Sequence, residues 1–190
     1  MQKKTYKAKV KRNFSNRKDT SFFPFLKEKL NYIIIDPGIK NLCVCYPSKK
    51  KVWLFHFENI NEMIKSSCFL NCLNEIEQDE SLNILCEDQI IKKNLIIQGF
   101  VCGLVLQRLK KSKLFFFQPS QKNYNARCFF KYNYSKIKSK KAYETLPSGL
   151  KNYLQEWTIF EVIGDKINQK HIGQIKKKDD IIDCVLISKF

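Results

Sequence analysis

The spacing of apolar and polar residues predicts an α/β domain that begins near residue 31. Tyr32–Ile35 is a continuous apolar run, typical of a strand buried on both faces, and it ends at Asp36, just before the turn-forming pair Pro37-Gly38. Two more apolar runs, residues 42–46 and 52–57, follow after short connections. Runs that are this close together predict an antiparallel meander of three strands.

The rest of the chain alternates between helical and strand-like spacing. An apolar residue every three or four positions predicts helices, and short β-branched or aromatic runs predict strands. A meander followed by crossovers predicts a mixed five-stranded sheet with helices on both faces. The predicted helices are 60–76, 91–109, a basic helical region 120–157 broken at 147–149, and 178–188; the predicted strands are 83–86 and 114–117, and residues 158–175 have no clear pattern.

The positive charge is concentrated in two segments. The formal net charge is +17; residues 1–30 contain ten Lys or Arg against two acids, and residues 108–141 contain eleven and no acid. Such a local excess favours a polyanionic partner over a general contribution to solubility. Residues 1–30 are expected to form a basic, flexible N-terminal arm, because their first 21 residues lack apolar periodicity, and residues 31–190 the folded domain.

Cysteines, histidines and apolar runs limit the class of protein. Five of the eight cysteines lie inside apolar runs, where cysteine acts as a small buried hydrophobe, and no CxxC pair is present. Only two isolated histidines occur, which argues against a zinc site. No apolar run approaches the roughly 20 residues of a membrane span, so we expect no membrane partner. An intracellular, reducing compartment fits best; a mitochondrial one fits less well, because lysine outnumbers arginine in the arm.

Four carboxylates are predicted to converge on one site. In the expected sheet the ends of the first and fourth strands lie together at the topological switch point, which places Asp36 beside Glu87. Asp180 and Asp183 share one face of the last helix, and Asp179, four residues before Asp183, is an alternative to Asp180. Converging carboxylates repel unless cations neutralise them, and hard oxygen ligands suit Mg²⁺, with Mn²⁺ as a substitute. Two such ions can hydrolyse a phosphodiester bond.

These residues resemble the motifs of RuvC-type Holliday junction resolvases, which belong to the RNase H-like superfamily. The similar segments are Ile35–Asn41, Glu87–Gln89 and Asp180–Asp183. The most similar members of the family are the resolvases of poxviruses and other large DNA viruses, which share the D-x-G-x-K-N opening. The resemblance covers roughly residues 31–190, except 142–175, which lack a clear counterpart. It implies an RNase H-like fold and a homodimer that resolves four-way DNA junctions by paired symmetric nicks, without a small-molecule cofactor. In an infected cell, the site of viral DNA replication would be the expected location.

The same resemblance implies roles for individual residues. Asp36, Glu87, Asp180 and Asp183 would be catalytic and would bind two Mg²⁺ ions, and Lys140, or Lys141 beside it, would be a catalytic lysine.

Phe129–Tyr134 are candidates for stacking on exposed bases, whereas Phe115–Phe117 are expected in the core. The candidates for contact with DNA are Lys40, Lys122, Arg127, Lys131, Lys136, Lys138 and Lys141.

Three other functions share part of this pattern. A transposon-type RuvC nuclease fragment fits less well, because a zinc-finger cysteine set is missing. A non-catalytic nucleic-acid-binding protein on the same fold would gain nothing from four acids that face phosphates. An actin-like ATPase would need a second glycine-rich phosphate loop, which the sequence lacks.

A dimer is the simplest assembly that can cut both strands of a junction, because one active site cannot reach two phosphates at once. The helix 91–109 is the expected interface, since its apolar residues surround it almost completely. Val101 is expected on its outward side.

Deleting residues 1–20 should weaken DNA binding and flatten its salt dependence. The slope of log K against log salt falls by about 0.9 for each phosphate that the protein no longer neutralises. Fluorescence anisotropy of labelled junction DNA across a salt series measures this slope. Identical slopes for the truncated and full-length proteins would mean that the arm does not bind DNA.

Overall fold

The computed structural model describes residues 31–38, 40–77, 82–89, 92–134 and 143–189, so the arm lies outside the described residues. They form seven strands and six α-helices, with 3₁₀ turns at Pro47–Lys49 and Ile172–Gln174. The strands are β1 (Asn31–Asp36), β2 (Leu42–Tyr46), β3 (Lys51–His56), β4 (Leu82–Glu87), β5 (Lys113–Phe117), β6 (Thr158–Ile163) and β7 (Lys166–Lys170). The helices are α1 (Ile60–Lys65), α2 (Ser67–Glu77), α3 (Lys92–Arg108), α4 (Ser120–Phe130), α5 (Ser148–Gln155) and α6 (Lys178–Ile187).

The strands form one mixed sheet in the order β5-β4-β1-β2-β3-β6-β7. The meander β1-β2-β3 is antiparallel, as predicted, and β4 and β5 continue the sheet beyond β1 in parallel. The predicted count of five strands is wrong, because β6 pairs in parallel with β3 and then forms a hairpin with β7. Most of β7 is exposed, so its sequence has no apolar run from which a strand could be predicted.

Each face of the sheet has its own apolar core. Successive strand residues point to opposite faces, so Ile33 and Ile35 pack in one core and Ile34 in the other. Helices α1, α2 and α3 cover the first face, and α4, α5 and α6 cover the second. This two-sided burial explains why β1 is apolar at every central position.

Three sequence-based expectations about packing are wrong. Phe115 and Phe116 are 39% and 48% exposed, because β5 is an edge strand, and of the three only Phe117 is buried. Val101 faces the core and is fully buried. The predicted helix 60–76 is two helices, since Ser66 is extended and its hydroxyl caps α2 by accepting from the amide of Phe69 at 3.2 Å.

All eight cysteines are free thiols, and seven of them are buried. Within the described ranges, no helix has the length and hydrophobicity of a membrane-spanning segment.

Candidate metal centre and DNA-binding surface

Parallel pairing of β1 and β4 places two carboxylates side by side. Ile35 pairs with Cys86, so Asp36 and Glu87 follow at the carboxyl ends of neighbouring strands. Their side chains share a hydrogen bond. The predicted proximity of the two strand ends is therefore present in the structure.

Helix α6 brings two more carboxylates to the same edge of the sheet. Its apolar residues, from Ile181 to Ile187, are buried against the second core, which fixes the direction of its polar face. Asp180 and Asp183 lie on that face and line the same cleft as Asp36 and Glu87. Asp179 points away: its side chain is 50% exposed and pairs with Lys177 at 2.6 Å. Of the two alternatives that the sequence left open, Asp180 is the one that lines the cleft.

The cleft has a volume of about 500 Å³, and one of its walls is the turn after β1. A Cβ at Gly38 would lie 2.5 Å from the carbonyl oxygen of Asn41, so this turn closes tightly only with glycine there. The residues that line the cleft are Asp36, Pro37, Gly38, Lys40, Asn41, Glu87, Asp88, Gln89, Asn94, Pro119, Asp180 and Asp183.

The acids in the cleft destabilise one another's charged forms. Burial and the neighbouring Glu87 hold the pKa of Asp36 well above its usual value. Burial and the charge of Asp179 raise the pKa of Asp180 to about 7. Burial also raises the pKa of Asp183, although the Lys122 ammonium and the Tyr134 hydroxyl, which donates a hydrogen bond to it, oppose that shift. A site that opposes its own ionisation in this way is suited to bind a cation.

Lys122 of α4 reaches into the carboxylate cluster. Its ammonium pairs with Glu87 Oε1 at 3.2 Å and with Asp183 Oδ2. Only 18% of the side chain is exposed. Burial alone would lower the pKa of Lys122, but the charges of Asp183 and Glu87 raise it above its ordinary value. Lys122 was predicted as a DNA contact, but its partners in the structure are two of the four acids.

The donor set fits a hard divalent cation. Two buried oxygens, Asp180 Oδ2 and Asp183 Oδ1, have no hydrogen-bond partner among the described residues. Carboxylate oxygens in this state are the ligands that Mg²⁺ and Mn²⁺ prefer. Within the same ranges, no three His, Cys, Asp or Glu side chains are already arranged as a metal-binding group. The cation now between Glu87 and Asp183 is the lysine ammonium.

Amide side chains hold the loop that follows β4. The Gln98 side chain, on the buried side of α3, donates to the carbonyl of Glu87 at 3.1 Å and accepts from the amide of Gln89 at 3.3 Å. The Gln118 side chain donates to Asp88 Oδ2 at 2.9 Å. The backbone that carries Glu87 is therefore fixed from two sides.

A second polar cluster supports the turn after β1. His56 Nδ1 lies 2.9 Å from Asn41 Oδ1, and His56 Nε2 lies 3.2 Å from Glu161 Oε1. Glu161 is buried and is also paired with Lys170 of β7. The β6–β7 hairpin, which was not predicted from the sequence, thus supports the turn after β1 that lines the cleft.

The predicted DNA contacts have different surroundings. Lys40 is exposed on the rim of the cleft, and Arg127 and Lys131 are exposed on and just after α4. Lys136, Lys138, Lys140 and Lys141 lie outside the described residues. Among the candidate stacking aromatics, Phe129 is 50% exposed, whereas Phe130 packs against Tyr153 and Tyr132 against the core. Tyr124, which was not a stacking candidate, is 53% exposed on α4.

Sequence reasoning missed Gln98, Tyr134 and His56 as supports of the cluster, and it gave Lys122 a different role. Gln98 carried a signal, because it is a polar residue on an otherwise apolar helix face. The others reach their partners across long sequence separations that no local pattern reports.

A distant structural neighbour of the chain was found among solved structures. No family model and no curated protein matches the chain. The neighbour is RuvC from T. thermophilus, solved in complex with a Holliday junction substrate; it is 12% identical, with a TM-score of 0.42 over 83% of this chain and 91% of that one.

Asp180→Asn should stabilise the metal-free protein increasingly as the pH rises from 5 to 8. The pKa of Asp180 is about 7 in the folded state and near 4 in the unfolded state. Such a carboxyl stabilises the folded state fully below the unfolded pKa, and this contribution is lost as the pH rises through the folded pKa. Removing the carboxylate should therefore raise the free energy of unfolding at pH 8 in EDTA by about 1–3 kcal/mol. Urea denaturation at both pH values measures this, with Glu144→Gln, at an exposed acid that does not line the cleft, as the control. A substitution at Asp180 that destabilises at pH 8 would contradict the expectation.

Proposed function

We propose that this chain is a metal-dependent, structure-selective DNA endonuclease that resolves four-way junctions by paired nicks. The observation that carries the proposal is the convergence of Asp36, Glu87, Asp180 and Asp183 on one cleft, with two buried oxygens that lack partners among the described residues. A cluster of this kind costs stability, and a cation-dependent activity explains its presence.

The chain's own residues would divide the work in the cleft. Two Mg²⁺ ions, when bound by the four carboxylates, would supply an activated water and stabilise the leaving oxygen of the phosphodiester. Lys40, which is exposed on the rim of the cleft, would contact a DNA phosphate. Gln98 and His56 hold the two loops that carry the cleft walls, so the carboxylates are fixed before substrate arrives.

Helix α4 supports a preference for branched DNA. Tyr124 and Phe129 are both about half exposed, and Arg127 between them is exposed as well. Aromatic faces stack on unpaired bases of any sequence, and such bases occur at a junction rather than in a continuous duplex. The basic charge around them would hold the phosphates of the arms.

A non-catalytic DNA-binding protein is the second candidate. The Lys122 ammonium between Glu87 and Asp183 favours it, because a lysine that permanently neutralised the acids would leave no metal centre. Labelled four-way, branched and linear DNA, incubated with the protein with and without Mg²⁺, separates the two candidates. Cleavage that requires both Mg²⁺ and a junction supports the nuclease, whereas binding without cleavage supports the second candidate.

A homodimer would place two such clefts on one junction. Because Val101 is buried, we propose a different surface of α3, the α3 outer surface, formed by Leu95, Ile96, Gly99 and Gly103. A Cβ at either glycine would meet nothing within 4 Å, so a second helix could approach closely there. Ile96 is 70% and the neighbouring Leu95 43% exposed, so together they form an apolar patch that a second copy of the chain could cover.

Asp36→Asn should abolish junction cleavage and retain junction binding. The substitution removes a metal-ligand charge and leaves the basic surface intact. Cleavage of a labelled four-way junction in Mg²⁺, together with a gel-shift titration in EDTA, measures both properties. Asp179→Asn, which changes an exposed acid beside the cluster, should cleave normally. Wild-type turnover by the Asp36 variant would exclude it from the metal centre.

Ile96→Glu should give a folded monomer that nicks a junction once and fails to make the paired cut. A charge at this exposed position opposes association without entering the core. Analytical ultracentrifugation and a cruciform plasmid assay, which separates nicked from linear product, measure the two effects. Ile167→Glu, at an isoleucine 50% exposed on β7, is the matched control and should remain dimeric. Wild-type protein that sediments as a monomer on junction DNA would contradict the dimer.

A further inference from the structure

Lys122 has a position that neither DNA binding nor ordinary packing explains. Its ammonium spans two carboxylates from different elements, Glu87 at the end of β4 and Asp183 on α6. Both carboxylates belong to the proposed metal centre, so the inference that follows rests on the proposed function. A divalent ion bound by the same two carboxylates would lie next to the ammonium.

The backbone of α4 around Lys122 is held by hydrogen bonds, whereas the lysine stem is intrinsically flexible. One turn further along α4, the Asn125 side chain donates to the carbonyl of Leu186 at 2.9 Å and accepts from the Gln121 side chain at 3.0 Å. The first of these bonds ties α4 to the end of α6. The lysine stem contains four rotatable methylene groups, so the ammonium can leave the carboxylates without any movement of the helix.

The charges in the cleft set up a competition. Lys122 supplies one positive charge to four acids, and two buried oxygens, on Asp180 and Asp183, still have no partner within the described part of the chain. A divalent ion supplies more charge and can use those oxygens, but an ammonium at contact distance from its ligands would repel it. A metal bound fully to Glu87 and Asp183 would therefore weaken the pairing of Lys122 with both acids.

We propose that Lys122 is a tethered counter-cation, which holds the carboxylates together in the metal-free protein and must leave Glu87 and Asp183 when a divalent metal binds. The lysine thus lowers the apparent affinity of the centre for metal. It also reduces the repulsion between the four acids in the metal-free protein. Binding of metal and pairing of Lys122 are mutually exclusive states of one site.

Lys122→Met tests the exchange by metal binding, without any activity measurement. Isothermal titration with Mn²⁺ should give an apparent Kd about fivefold or more tighter than in the wild-type protein, within the roughly 5–150-fold range of coupled binding events. The variant should have a lower Tm in EDTA, and added Mg²⁺ should raise its Tm by more than it raises that of the wild type. Lys122→Gln, which keeps polarity without charge, is the second variant if the methionine protein does not fold.

Lys51→Met is the matched control. Lys51 also pairs with an acid, Glu75, but neither residue lines the cleft. Its substitution should lower Tm equally with and without Mg²⁺ and leave the Kd for Mn²⁺ unchanged. An equal tightening in this control would overturn the proposal, because a general loss of positive charge would then explain it.

The lysine itself can be observed in the wild-type protein. With ¹⁵N-labelled lysine, the paired Lys122 ammonium should give an amine signal in EDTA that Lys122→Met lacks, and Mg²⁺ should remove that signal. A signal that persists at saturating Mg²⁺, or a Kd that does not tighten in the variants, would overturn the exchange and leave the nuclease proposal standing. Wild-type and variant proteins that both fail to bind Mn²⁺ would overturn both proposals.

Discussion

The repulsion between four carboxylates is the constraint that shapes everything around this site. The pairing of β1 with β4 and the packing of α6 against the second core bring Asp36, Glu87, Asp180 and Asp183 to one edge of the sheet. Burial then raises the pKa of three of them, so the fold itself opposes their ionisation. A cation in the cleft would relieve this cost.

The surrounding polar residues have two separate tasks. Gln98 and the His56–Glu161 pair hold backbone: the first fixes the loop after β4, and the second the turn after β1. Lys122 and Tyr134 instead act on the carboxylates themselves, through Asp183. The supports therefore keep the cleft walls in place whether the charge at its centre comes from a lysine or from a metal ion.

The sequence was sufficient for the elements with a strong apolar signal and not for the rest. β1 and β4 are buried on both faces, so their runs and the acids at their ends could be read directly. The two strands that were missed, β6 and β7, both lie in residues 158–175, where the sequence has no clear pattern, and β7 is mostly exposed; a seven-stranded sheet was therefore predicted as five-stranded. Helix α3 is apolar on nearly all sides, so its pattern could not show that Val101 faces inward and Ile96 outward. The direction of the Lys122 side chain depends on α6, which is distant in sequence.

Anomalous diffraction from crystals soaked in Mn²⁺ would show whether the four carboxylates form a metal centre. We expect an anomalous peak inside the cleft, within coordination distance of Asp36 and of at least two of the other three acids, with the Lys122 ammonium displaced. A cleft that remains without a peak at saturating Mn²⁺, with Lys122 still bound to Glu87 and Asp183, would contradict the proposed metal centre.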